Sequence, residues 1–412
     1  MKVCLVTTNA PPLVGGLEHL ALRIAQKLAP FLQAVWLVAR FAESRQTLSG
    51  YFLNAETPRE FTHENVRVRI VSPSTFYLNT GAMRAAMHFS RRGRTFQLAR
   101  RIYTQGMFND LRKACAGADL ILYLGTGVEM LGYAASAVAA DSGIPFVVEP
   151  AIHPGQWGDS PVDLRLYQSA NGLLAHSDGE ATFLKERGIP ASHVTVVKHG
   201  VDLEESGNGH RFRTKHGLVG PIVLFLGRKT LDKGVVRAFD AFRLCKTAHS
   251  DATLVIAGPS AGKVVTPPCQ GVLELDDLTE AEKQDALSAA DVLCVPSKGE
   301  SFGMVYFEAW AYGTAVIGLD LPALRETIGA SGGGRLVRDS DTDVAAAMEE
   351  LLSSSELRKR LGRLGQAFSK SYDWTVAAES YRDALIQFHT RFHLLSSTER
   401  CCNSVRETAG SA

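Results

Sequence analysis

Two acidic residues bracket the segment with the densest chemistry. Pro296-Ser-Lys-Gly-Glu-Ser-Phe-Gly-Met-Val-Tyr-Phe-Glu308 follows an apolar run that reads as a buried strand, and it opens a helix. Backbone N–H groups of Ser301, Phe302 and Gly303 then sit at a helix N-terminus, where unpaired donors and the helix dipole favour phosphate oxygens. Gly303 lets a bulky anion approach the main chain closely. Glu300 lies in the loop and Glu308 near the second turn, with seven residues between them. Carboxylates repel phosphate, so a pair flanking such a site suits hydroxyl donors instead, one set on a sugar and one on a ribose. The plainer reading is a capped helix with a solvated Glu. A second motif, Leu226-Gly-Arg-Lys-Thr-Leu-Asp-Lys-Gly234, also joins a strand to a helix. Arg228 supplies a planar fork and Lys233 a point charge, a combination that holds a diphosphate and stabilises its charge as it leaves. Arg-x4-Lys is also common on ordinary surfaces.

In the first half, Gly15 and Gly16 open the first helix after the first strand, a turn shape that also serves structure alone. His153 follows a strand end, where ligands gather in open α/β sheets; a lone His is as often structural. Three patterns are set aside. Gly125-Thr-Gly127 lacks the third glycine of a dinucleotide fingerprint. The acidic pairs Asp339/Asp341 and Asp341/Asp343 precede a helix and suit capping better than metal binding. Cys401 and Cys402 show no ligand spacing.

Short β-branched runs alternate with helical ones throughout. Strands are predicted at Val3–Thr7, Ala34–Val38, Val66–Val71, Asp119–Leu124, Pro145–Val148, Gly172–His176 and Val194–Val197. A helical stretch covers Ala82–Ala116, interrupted near Gly93. The alternation restarts with strands at Pro221–Leu226, Thr253–Ala257, Val292–Val295 and Ala315–Gly318, and helices at Val235–Lys246, Glu280–Ala289 and Gly303–Ala311. This pattern makes parallel sheets with helices on both faces. The expected fold is α/β, two Rossmann-like doubly wound domains facing a central cleft. The break falls near Lys198–Gly209, giving domains at 1–198 and 199–373, with the tail 392–412 expected to be disordered.

The chain has 412 residues, 44 Lys+Arg against 43 Asp+Glu, and 45% hydrophobic residues. A net charge of +1 argues against nucleic-acid binding by bulk electrostatics. Seven cysteines, an odd number with no CxxC pair, read as reduced core residues. The opening MKVCLVTTNAPP is too quickly polar for a signal peptide, and no apolar run reaches the roughly 18 residues of a spanning helix. The expected location is cytoplasmic, with attachment to the inner membrane face left open.

These residues resemble a known family. Pro-Pro-x-x-Gly-Gly-x-Glu at the start, His176-Ser-Asp-Gly-Glu180, Lys198-His-Gly-Val-Asp202, Gly227-Arg228 with Lys233-Gly234, and above all the Glu300–Glu308 block are similar to GT-B glycosyltransferases of family four. The resemblance implies a retaining transferase that moves a sugar from a nucleoside-diphosphate-sugar to a glycan, lipid-linked or small-molecule acceptor. Arg228 and Lys233 would hold the diphosphate, Glu300 the sugar hydroxyls and Glu308 the ribose. Amides of Ser301, Phe302 and Gly303 would complete the phosphate site, and Gly15 and Gly16 would let donor and acceptor approach. His153 matches the family's first-domain histidine. No metal or cofactor is implied; the nucleotide-sugar, UDP- or GDP-linked, is a substrate. The resemblance also implies that a C-terminal helix, about 374–391, packs back on the first domain. His199 and Asp276 depart from the family pattern, where Asn and Gly are common, so the nucleobase stays open. A nucleotide-sugar epimerase on the same fold and a non-catalytic sugar-nucleotide-binding subunit are the alternatives.

Between Arg84 and Lys113 there are eight Lys/Arg and one acid, Asp110, interleaved with apolar residues. Such a segment suits an anionic membrane surface, a core helix with a solvated basic face, or a groove for an anionic acceptor.

Overall fold

The computed structural model describes residues 1–13, 15–44, 54–73, 93–150, 152, 157–202, 206–260, 267–276, 278–300 and 302–409. The chain divides into two compact units, Met1–Lys198 with Ala378–Ala412, and His199–Ala377.

The first unit is built on eight strands: β1 (Lys2–Asn9), β2 (Ala34–Phe41), β3 (Arg59–His63), β4 (Val66–Ile70), β5 (Leu120–Leu124), β6 (Phe146–Glu149), β7 (Gly172–Ala175) and β8 (Val194–Val196). Their order is β3-β4-β2-β1-β5-β6-β7-β8. Every pairing is parallel except β3 with β4. The central strands are buried on both faces, which explains their unbroken apolar runs.

The second unit carries β9 (Ile222–Leu226), β10 (Thr253–Ala257), β11 (Val272–Leu275), β12 (Val292–Cys294), β13 (Ala315–Leu319) and β14 (Gly334–Val337). They form one parallel sheet in the order β11-β10-β9-β12-β13-β14. The strand order reverses beside β9, so the loops after β9 and β12 flank the switch point where α/β sheets bind ligands. The α/β, doubly wound expectation is met in both units.

Two predicted elements differ. Of the helical stretch Ala82–Ala116, the described part is one helix, Gly93–Ala114; residues 82–92 lie outside the described residues. Tyr103, Met107 and Leu111 recur at helical spacing on its buried face and join the core around the helix Leu131–Ser142. The final helix runs from Trp374 to Ala409 and so continues through the segment expected to be disordered. No proline or glycine interrupts it before Gly410. Its Tyr381, Leu385 and Phe388 are buried in the first unit.

Candidate active site

The second unit brings four loops together along one edge of its sheet, because all six strands run the same way. Gly227 donates its N–H to Ala257 O and Lys229 to Pro259 O, both at 3.0 Å, which ties the β9 loop to the β10 loop. Gly258 donates to Leu275 O at 3.1 Å, extending the edge to β11. On the other side Lys298 N–H reaches Asp232 O at 2.8 Å and joins the β9 loop to the β12 loop. Gly234, at φ 79°, is needed there: a Cβ would stand 2.1 Å from Pro296 O.

Within this edge Lys233 and Glu300 meet directly, Nζ to Oε1 at 2.7 Å, with the carboxylate 8% exposed. Two residues 67 positions apart in sequence thus form one polar pair at the switch point. Arg228 stands in the same loop, exposed, with no ion-pair partner among the described residues. Asp232 lies between these cations. Burial pushes its carboxyl up, but the neighbouring Thr230 hydroxyl and the charges of Arg228 and Lys233 bring it below the ordinary value.

Gly303 caps the helix Met304–Ala311 at φ 84°, and a Cβ there would stand 2.6 Å from the Tyr306 ring. Both features demand glycine at the turn that presents the helix N-terminus. The ring of Phe302 is buried, stacked on His199 at 4.8 Å and on Phe307 at 4.6 Å. What it can offer a ligand is its amide; the ring anchors the loop. Glu308 sits on the helix after that turn and pairs with Lys283 Nζ at 3.0 Å. Lys283 also holds Glu280, and the two carboxylates raise its pKa against the opposing effect of burial.

Gly15 and Gly16 lie in the first unit at the start of the helix Gly16–Leu28. Gly15 has φ 177°, extended backbone open to any residue, so a glycine there contributes small size rather than a special conformation. His153 and Ser301 lie outside the described residues. The acidic pairs set aside earlier are occupied by cations: Asp339 pairs with Arg237 and Lys298, and Asp341 with Arg237. Ser340 caps the following helix.

Several polar groups were given no contact or role by the sequence reading. Lys229, 4% exposed, pairs with Asp276 at 2.8 Å and Glu274 at 3.4 Å. In the first unit, Glu129 follows β5 and is buried, accepting hydrogen bonds from Thr8 and Tyr123. Burial pushes its pKa up to about 7, more than those two hydrogen bonds pull it down. Glu149, at the end of β6, accepts from Tyr381 at 2.8 Å and lies 3.0 Å from His176 Nε2. Glu180 accepts from the His176 backbone N–H at 2.7 Å, and burial takes it to about 7 as well. Charge alone does not reveal such sites, since their burial depends on the assembled sheet.

Residues 209–368 match the family model described as Glycosyl transferases group 1. The chain is 35% identical over 194 residues to a phosphatidyl-myo-inositol mannosyltransferase of Mycobacterium leprae, covering 45% of this chain and 52% of that protein. It is 30% identical over 249 residues to a D-inositol 3-phosphate glycosyltransferase of Nocardia farcinica, covering 55% of each. The chain thus spans about half the length of these curated relatives. Its fold is similar to that of the Anabaena protein HepE, solved in complex with UDP and glucose, with a TM-score of 0.71 at 17% identity, covering 93% of this chain and 99% of the other.

Proposed function

We propose that this chain, whose residues 209–368 match the family model of glycosyl transferases group 1, transfers a sugar from a nucleoside diphosphate to a hydroxyl acceptor with retention of configuration. The observation that carries this reading is the Lys233–Glu300 contact of 2.7 Å beside Arg228 at the switch point. A cation that binds phosphate and a carboxylate that accepts from sugar hydroxyls are what a nucleotide-sugar needs at its central diphosphate.

In this reading the bond between the anomeric carbon and the distal phosphate oxygen breaks while Arg228 and Lys233 hold the departing diphosphate. Amides at the start of the helix Met304–Ala311 add further donors. Glu300 accepts hydroxyl hydrogens of the sugar and Glu308 those of the ribose. The acceptor oxygen attacks from the face the diphosphate leaves, and its proton passes to the departing phosphate. His153, Gly15 and Gly16 keep in this reading the roles that the family resemblance implies for them, the histidine of the first domain and glycines that let donor and acceptor approach. The nucleotide-sugar is consumed as substrate, UDP- or GDP-linked, with no resident metal or cofactor.

The relatives' names favour an acceptor of the inositol phosphate or phosphatidylinositol kind, within the wider class of glycans and lipid-linked glycans. They also favour transfer over epimerisation. A lipid-linked acceptor would place the enzyme in the cytoplasm at the inner membrane face, with segment 84–113 as the contact. No helix among the described residues is long and apolar enough to cross a membrane. The described part of the basic segment spends Tyr103, Met107 and Leu111 on the core, while Arg100 lies over the Tyr133 ring and Arg112 pairs with Asp141 at 3.5 Å, pairings that any such contact would have to share.

The test is thermal-shift screening of UDP-, GDP-, ADP- and dTDP-sugars against the wild type and Lys233→Ala. A donor should stabilise the wild type alone, and turnover on that donor should fall roughly 10²- to 10³-fold in the variant. Wild-type turnover in a folded Lys233→Ala protein would refute the site.

A further inference from the structure

The last helix completes the first unit from Ala378 onward, and side chains hold it there. Ala378, Tyr381, Ala384, Leu385 and Phe388 recur at helical spacing on its buried face, and Tyr381 carries the one hydroxyl among them. The Phe388 ring packs on Gly172, where a Cβ would stand 2.5 Å from it, and Arg391 donates to Ser192 O. Tyr381 instead reaches a charged cluster. It donates to Glu149 Oε1 at 2.8 Å, and the same oxygen lies 3.0 Å from His176 Nε2. Glu149 Oε2 is buried with no hydrogen-bond partner among the described residues.

Glu180 joins the cluster by accepting from the His176 backbone N–H at 2.7 Å, and Glu149, His176 and Glu180 are all buried. Two carboxylates therefore face one imidazole. With Glu149 the anion, His176 charged and Glu180 protonated, the charges cancel. Each further proton lost leaves an uncompensated negative charge in a buried place, which is strongly unfavourable. No lysine or arginine pairs with either carboxylate among the described residues. Tyr167, on the helix Pro161–Gln168, is the other titratable group toward Glu180, and its hydroxyl goes to Gly158 O at 3.1 Å. Tyr381 faces both carboxylates: burial first, then Glu149 and Glu180, push its pKa up. Burial opposes the charge on His176, but the contact with Glu149 and the charges of both carboxylates leave its pKa above 6.5.

We propose that this cluster is a proton-dependent latch on the last helix: while it keeps its protons the helix stays docked through Tyr381, and their loss frees the helix and opens the carboxylates to water. The strands do not yield in its place, because the backbone of β6 is paired with β5 on one side and β7 on the other. The helix is attached by side chains, so its release is the route that brings water to Glu149 and Glu180. Both titrations act in one direction. A group whose pKa is higher docked than free favours docking below its free value, and that contribution is lost as pH rises through the docked value. For Glu180 the window runs from 4.5 to about 7, and for His176 it begins at 6.5. Rising pH thus loosens the segment that makes the first unit whole.

Hydrogen exchange of the full chain from pH 5 to 8, read as protection factors so that the intrinsic rate divides out, tests this. Below pH 6.5 Glu180 alone releases a proton on opening. Protection of residues 378–392 should then fall roughly tenfold per pH unit, about 30-fold from pH 5 to 6.5, while β9 in the second unit keeps its own. Glu180→Gln, which does not ionise, should flatten that span and regain a slope only above 6.5, where His176 releases its proton. Tyr381→Phe leaves all three titrating groups in place and should lower the segment's protection about tenfold at every pH. Both changes nearly conserve shape, and circular dichroism checks the fold. Flat protection from pH 5 to 6.5 in the wild type, a slope that survives Glu180→Gln, or a segment indifferent to Tyr381→Phe would each overturn the latch. So would protection of 378–392 equal to that of β1 at every pH, since the helix would then leave only when the whole unit unfolds.

Discussion

Replacing Glu129 with glutamine should change how the stability of the first unit depends on pH. Glu129 is 5% exposed, and burial raises its pKa from 4.5 to about 7. Between those values the folded chain keeps the proton and the unfolded chain has lost it. The native state then binds more protons, so stability falls as pH rises through this window and levels off above about 7. At about 1.4 kcal/mol per pH unit, the residue costs the fold ~3 kcal/mol by neutral pH relative to acid. Glutamine does not ionise, and its carbonyl can still accept from Thr8 and Tyr123. Near pH 5 the two proteins should be close in stability. By pH 8 the variant should have gained ~3 kcal/mol on the wild type, or roughly 6–12 °C in the midpoint of the first unit for a domain of this size. Calorimetry from pH 5 to 8 reads this directly. Glu180 titrates in the same direction but is present in both proteins and cancels from the difference. Parallel midpoint–pH curves would refute the buried, protonated carboxyl.

Gly303→Ala places a Cβ against Tyr306 at φ 84°, and should cost ~1–3 kcal/mol in urea unfolding as well as weaken nucleotide binding. An unchanged urea midpoint would show that the turn tolerates a side chain. Charge reversal at Arg91, Arg92 and Arg94 should reduce co-sedimentation with anionic lipid vesicles, and unchanged binding would end the membrane reading.

The four inner strands of the second unit's sheet, β9, β10, β12 and β13, were legible because they are continuous apolar runs separated by well-punctuated helices. Thr253–Ala257 and Glu280–Ala289 are placed to the residue. β3 was not legible: Arg59–His63 is a polar edge strand, half-solvated, whose identity comes from pairing with β4. β11 and β14 escaped for a similar reason, each being four residues at or beside a sheet edge. The site divides along the same line. Arg228, Lys233, Glu300 and Glu308 lie in motifs whose spacing carries meaning along the chain. The Lys229–Asp276 pair spans 47 positions and depends on the register of three parallel strands. Phe302 was read through its backbone, and nothing in its neighbours along the chain foretold a ring sandwiched between His199 and Phe307.

The path of the chain has a consequence for its synthesis. Residues 199–377 interrupt the first unit, and they begin and end side by side, with Val201 N–H bonded to Tyr372 O at 2.9 Å. On a ribosome the second unit is therefore whole while the first still lacks its last helix. Until that helix emerges, Glu149 is without the Tyr381 hydroxyl and Gly172 without the Phe388 ring packed against it. The unit translated first is the one completed last, reversing the usual amino-to-carboxyl order of folding.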